Sequence, residues 1–158
     1  MIEFGTYVIA SKKDPHKMLD MASASTSNGG NAQLYDSNGT DAQCWRIRSA
    51  GDGWYTLMSC NSALRLDIAN GSGSSGANVQ QWSDNGSKAQ RWRFSMGEKG
   101  VQIVSALGTV LDVWVLARRA ARTLLPTSTT VPLPRPGASL RLRPRQRLAI
   151  RTTRGSSR

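Results

Sequence analysis

Two aspartates, Asp20 and Asp67, each precede the same set of side chains at the same intervals. Glutamine follows at thirteen residues (Gln33, Gln80) and an aromatic ring at fifteen (Tyr35, Trp82). Further amides follow at eighteen (Asn38, Asn85) and at twenty-three (Gln43, Gln90). Together these groups can hold a cyclic polyol: the ring covers its apolar C–H face, and the carboxylate and amides satisfy its hydroxyls. Each residue has a plainer alternative. Asp20 and Asp67 can be solvated carboxylates at strand ends, Asn38 and Asn85 only turn formers, and Gln43 and Gln90 props for backbone or aspartate. What favours binding is that an acid and an aromatic recur at one fixed separation.

The elements that must position these groups follow from an internal repeat, which also explains the spacing. At an offset of 47 residues, Asn31-Ala32-Gln33-Leu34-Tyr35 lies over Asn78-Val79-Gln80-Gln81-Trp82. In the same register Ala42-Gln43-Cys44-Trp45-Arg46-Ile47 lies over Ala89-Gln90-Arg91-Trp92-Arg93-Phe94. A third copy opens at Gly100 and reaches Leu111-Asp112-Val113, matching Leu19-Asp20-Met21 and Leu66-Asp67-Ile68, and then stops. Within a copy the β-prone runs are Tyr7–Ala10, Leu19–Met21, Ala32–Tyr35 and Gln43–Ile47. Asn38-Gly39 and Asn85-Gly86 mark tight turns, since both residue types tolerate positive φ. Four strands per copy predict an all-β fold of up to twelve strands with threefold pseudo-symmetry. Trp45 and Trp92, at symmetry-related places, are expected in the core.

Gln43-Cys44-Trp45 and Gln90-Arg91-Trp92, in register with three Leu-Asp segments, resemble the Gln-x-Trp signature of ricin-type lectin domains. The resemblance covers Gly5 to about Val113 and implies a β-trefoil that binds carbohydrate. It divides the chain into complete lobes at 5–48 and 52–95, the start of a third at 98–113, and a tail at 114–158. The third lobe is thus truncated or frame-shifted, and the tail is expected to be irregular or disordered. The resemblance gives Asp20 and Asp67 the sugar hydroxyls, and Tyr35 and Trp82 the stacking face. It also implies glycan or polysaccharide partners, an extracellular setting, and an accessory role in a larger exported protein. Family members often carry Asn or His just before the glutamine of Gln-x-Trp, where this chain has Ala42 and Ala89. One sugar contact is therefore missing from each lobe unless Asn38 and Asn85 reach in from the turn, and each site should be weak alone.

Other classes find less support. An enzyme would need a nucleophile with a paired base, or two carboxylates across one bond, and neither is recognisable. No metal or other cofactor is expected: His16 is the only histidine and lies far in sequence from Cys44 and Cys60. Those cysteines flank a turn at Ala50–Gly53 and either bridge or stay as half-buried thiols. No apolar run is long enough to cross a bilayer, so no membrane partner is expected. The start is too short for a signal peptide, which leaves a cytosolic protein or a fragment of an exported chain. A structural or protein-binding trefoil remains the alternative to a lectin.

The formal charge of +11 suggests a nucleic-acid partner until it is mapped. Residues 1–112 hold ten basic and ten acidic side chains, and the other eleven arginines all lie between Arg118 and Arg158. From Trp114 on, Asn, Lys, Asp, Glu and Tyr vanish. The tail can be a basic arm, a disordered linker, or the product of a frame shift. Regrouping its codons by one base permits Asn-Val-x-x-Tyr at Thr123, then Gly-Thr, then Gln-x-Trp ending at Gly137. Thr123 and Gly137 follow Asp112 by 11 and 25 residues, as Asn31 and Trp45 follow Asp20. The frame shift is the preferred reading, and sequencing the encoding DNA tests it. Either way, loss of most of a lobe should leave barrel edges unpaired and the domain marginal.

Overall fold

The computed structural model describes residues 4–97, 100–118 and 142–144. Eleven strands are present among them: β1 (Gly5–Ser11), β2 (Lys17–Met21), β3 (Ala32–Asp36), β4 (Trp45–Gly51), β5 (Trp54–Ser59), β6 (Arg65–Ile68), β7 (Val79–Trp82), β8 (Trp92–Gly97), β9 (Gly100–Ser105), β10 (Thr109–Arg118) and β11 (Leu142–Pro144). All pairings are antiparallel. Ladders run in the order β1-β4-β5-β8-β9-β10, and β10 returns to β1, so six strands close a ring. The hairpins β2–β3 and β6–β7 stand off that ring as caps. This is the β-trefoil that the family resemblance implies.

Local sequence accounts for the joints. The β4–β5 hairpin turns through Gly51, Asp52 and Gly53, all at positive φ (82°, 54° and 75°), which glycine adopts without strain. Gln43 and Gln90 do not belong to the fourth strand of their lobes, as the β-prone run predicted. Each ends a single 3-10 turn, Asp41–Gln43 or Lys88–Gln90, and the strand begins at the tryptophan.

The core is built from equivalent residues of successive lobes. Trp45 and Trp92 are fully buried, packed with Ile9, Leu19, Leu66 and Ile103. Their indole N–H groups donate to the carbonyls of Leu19 (3.0 Å) and Leu66 (3.1 Å). Each tryptophan thereby pins its barrel strand to the cap strand bearing the lobe's aspartate. Cys44 and Cys60 meet across the base of the β4–β5 hairpin, sulfurs 2.6 Å apart, and Cys60 N–H donates to the Cys44 carbonyl. Burial and the neighbouring Cys44 push the Cys60 thiol up to about 12. It is therefore a protonated, weakly nucleophilic group near neutrality.

The expected free barrel edge is corrected. Strand β10 does not stop at Val113 but runs to Arg118, and its second half pairs with β1 from Ser11↔Val113 to Tyr7↔Arg118. Trp114-Val115-Leu116-Ala117 supplies apolar, β-prone residues at that edge. Register shows what this replaces. Trp45 stands opposite Ser59 and Trp92 opposite Ser105; Val113 stands opposite Ser11. A valine thus occupies the third tryptophan position. Leu142 of β11 pairs with Leu111 as Leu34 pairs with Leu19, giving lobe three a short substitute for its cap hairpin. The frame-shift motifs at 123–137 lie outside the described residues, as does most of the tail.

Candidate functional site

In both complete lobes the aspartate sits on the inner cap strand, directly opposite its glutamine. Asp20 pairs with Gln33 and Asp67 with Gln80, and each glutamine Nε2 donates to the aspartate Oδ1 at 2.9 Å. Tyr35 and Trp82 lie two residues beyond those glutamines, hence on the same face of β3 and β7. Trp82 is 40% exposed, enough to offer a ring face, and Tyr35 is half-buried. The spacings of thirteen and fifteen residues thus become one rung and its diagonal neighbour on a hairpin.

Gln43 and Gln90 brace this arrangement from behind. Both are buried. Gln43 Nε2 donates to the Asp36 carbonyl (2.8 Å), and its Oε1 accepts from Asn38 N–H (2.9 Å). Gln90 repeats both bonds, to the Ser83 carbonyl (2.9 Å) and from Asn85 N–H (3.1 Å). Gln90 Nε2 also donates to Asp67 Oδ2 at 3.1 Å, so Asp67 is held by an amide on each oxygen. The glutamines therefore act through the aspartate and the turn.

Asp20 and Asp67 are each only 4% exposed, which excludes the reading of solvated strand-end carboxylates. Burial raises the Asp20 pKa above its ordinary range, while hydrogen bonds from Gln33 and Gln43 pull the other way. A carboxylate has about four acceptor positions, so two amide donors leave room for two hydroxyls. Asn38 and Asn85, by contrast, are not brought onto the aspartates. Asn38 Oδ1 accepts from Thr40 N–H and Oγ1, and Asn85 Oδ1 accepts from Ser87 N–H, so both are exposed turn formers. Ala42 and Ala89 are buried and supply no donor.

Sequence reasoning missed the support of Trp82 by lobe one. Gln81 is fully buried and its Nε2 donates to the carbonyls of Ser25 (2.8 Å) and Ser27 (3.0 Å), while its Oε1 accepts from Ser62 Oγ (2.7 Å). Asn28 Oδ1 accepts from both N–H and Oγ of Ser83. A Cβ on Gly29 would lie 3.8 Å from the Trp82 ring. The loop between β2 and β3 is thus seated against the second-lobe aromatic. The signal was present: Gln81 is an amide where the aligned repeat has Leu34. Among the described residues no group of three or more His, Cys, Asp or Glu is placed to hold a metal ion.

A trefoil bearing a braced acid and an aromatic in each complete lobe defines a lectin-like module. The ricin-type β-trefoil lectin domain-like family matches residues 2–82 and again 41–123, and the chain belongs to that family. No curated protein matches it. Among solved structures it is similar to the designed threefold-symmetric protein ThreeFoil, at 33% identity over 74% of this chain and 92% of that one, with a TM-score of 0.65. The agglutinin of Rhizoctonia solani shares 25% identity over 70% of this chain and 76% of its own, at a TM-score of 0.63. An exo-β-1,3-galactanase from Clostridium thermocellum shares 25% identity over 68% of this chain, at 0.62, but this chain spans only 23% of that enzyme. Family and neighbours together support carbohydrate binding in general.

Proposed function

We propose that the chain is a carbohydrate-binding module that takes one pyranose in each complete lobe. In lobe one Asp20 accepts from two adjacent sugar hydroxyls, Gln33 adds an amide contact, and Tyr35 covers the C–H face. In lobe two Asp67, Gln80 and Trp82 do the same. Gln43 and Gln90 hold the aspartates and turns in place. The observation that carries this reading is the repeated register: a nearly buried, amide-braced aspartate one diagonal from an aromatic, in both lobes. A structural trefoil has no need of a carboxylate buried twice at that cost.

Each site has few contacts with which to offset the cost of association, so single-site affinity is low. Two sites on one rigid body favour polymeric or clustered glycans through multivalency. The role is binding, without catalysis. An accessory place in a larger exported protein, acting outside the cell, fits the likeness to part of a galactanase. Titration with a saccharide panel tests the reading, following Trp82 fluorescence and indole NMR. A binding sugar shifts Trp82, and Asp67→Ala or Trp82→Ala removes the lobe-two response. A panel that leaves Trp82 and its neighbours unmoved overturns the proposal.

A further inference from the structure

Beside the lobe-two site lies a cleft of about 220 Å³, between the β4–β5 hairpin and the turn that precedes β8. Its walls carry Arg48, Arg65 and Arg91, with Asp84, Ser87 and Gln90. Four buried side-chain polar atoms without a hydrogen-bond partner occur among the described residues, and three belong to this cleft: Arg65 Nε, Arg65 Nη1 and Ser87 Oγ. The Arg65 guanidinium donates from Nη2 to Asp84 Oδ2 at 3.1 Å, and the Asp84 side chain is itself 58% exposed. Buried donors left without an acceptor oppose folding, so such a cluster calls for a function.

From these observations we propose that the cleft is an oxyanion subsite, extending the lobe-two sugar site so that it selects glycans bearing a carboxylate or sulfate. This rests on the sugar-binding reading for the pyranose, while the anion subsite stands on its own residues. Three arginines and one aspartate line the cleft, which leaves it positive by count. An incoming oxyanion that displaces Asp84 accepts from Arg65 Nε and Nη2, the edge on which the guanidinium offers a planar fork, and the Ser87 hydroxyl donates a further bond. The exposed Asp84 side chain swings aside to admit it.

Two features connect the cleft to the sugar. Gln90 lines it and also donates to Asp67 Oδ2. Arg65 is two residues from Asp67 on β6 and stands opposite Trp82. A glycan whose pyranose rests on Trp82 therefore has its neighbouring substituent at Arg65. The feature departs from the repeat: the positions of Arg65 and Arg91 in lobe one are Met18 and Cys44. Acid selection thus belongs to lobe two alone, while lobe one accepts neutral sugars.

The test uses a uronic-acid oligosaccharide, its carboxyl-reduced neutral counterpart, and a sulfated oligosaccharide of the same backbone. Binding is followed by calorimetry and by the Arg65 Nε–Hε and Trp82 indole NMR signals. The acidic ligand is expected to bind about tenfold tighter than the reduced one, the order of one or two charge-assisted hydrogen bonds. Its advantage fades with added salt. A double variant, Arg48→Gln with Arg91→Gln, changes only exposed or half-buried positions and keeps neutral-sugar binding while losing much of that advantage. Comparing the uronate and sulfate arms shows which oxyanion the cleft prefers. Equal binding of acidic and reduced ligands, with Arg65 Nε–Hε unmoved, overturns the subsite and leaves the sugar site standing. Free glucuronate shifting Arg65 while neutral sugars leave Trp82 unmoved removes the sugar site and leaves the anion subsite.

Discussion

Trp82 and Trp92 are ten residues apart and chemically identical, yet their surroundings assign them opposite work. Trp92 is enclosed and donates to Leu66, so Trp92→Ala should cost about 3–5 kcal/mol in a denaturant melt. Trp82 is 40% exposed, so Trp82→Ala should leave the melt nearly unchanged and abolish the lobe-two sugar response. If both variants lose stability alike, Trp82 is a packing residue and no platform. Asp20 allows a second test through pH. Its folded-state pKa is raised by burial, so it takes up a proton at higher pH than the ordinary value of about 3.9. Lobe-one binding should therefore fade on acidification before an ordinary aspartate titrates. Stability runs the opposite way, since the raised pKa favours the fold below the unfolded value and that contribution is lost as pH rises through the folded one. Asp20→Asn should flatten both profiles, and an unchanged pH dependence would remove Asp20 from the site. At this scale the core tryptophans, and the shared hairpin register of aspartate and aromatic, were legible because identity and spacing encode them. The asparagines stayed open in the sequence because turn former and ligand share one residue type, and only hydrogen-bond geometry separates them.

Element boundaries followed the β-prone runs wherever those runs alternate or pair locally. What single-strand patterns do not carry is contact between lobes. Gln81 illustrates this: on a period-two pattern it belongs with apolar Leu34, yet it is a fully buried amide spanning to Ser25 and Ser27. Its substitution is informative because the site aspartates are untouched. Gln81→Leu fits the repeat by shape but removes the amide's hydrogen bonds to Ser25, Ser27 and Ser62, a loss of about 1–3 kcal/mol. The loop before β3 should then loosen against Trp82, broadening the resonances of Asn28 and Gly29 and weakening lobe-two binding while lobe-one binding holds. If the loop stays ordered and both lobes bind as before, the lobes are independent modules. Gln43 and Gln90 teach the same lesson: the repeat located them, but a strand was expected where a 3-10 turn lets them reach backward to the turn and aspartate.

Over the whole molecule, the ring of six strands has three seams between successive lobes, and they are unequal. At β4–β5 and β8–β9 a buried tryptophan faces a buried serine; at β10–β1 that position holds Val113. Valine lacks both the indole volume and the N–H that elsewhere reaches a cap-strand carbonyl. At that position the third seam therefore buries less apolar surface and lacks the strand-to-cap hydrogen bond, with each omission worth on the order of 1 kcal/mol or more. Sequence patterning found the missing Gln-x-Trp but not that a continuous β10 would occupy its barrel position. That pairing spans more than a hundred residues of chain, and no local period encodes it. The consequence can be measured by native-state hydrogen exchange. Amides of residues 7–11 and 113–118 should open at lower free energy than those of β4 and β5, through a local event that leaves the other seams closed. Ending the chain after Val113 should weaken protection in 7–11 to what β2 and β4 still provide and lower the melting midpoint, whereas ending it after Arg118 should preserve most of that protection. If all three seams exchange together at the global unfolding energy, Val113 and β10 substitute fully for the missing strand, and the expectation of a marginal domain fails with them.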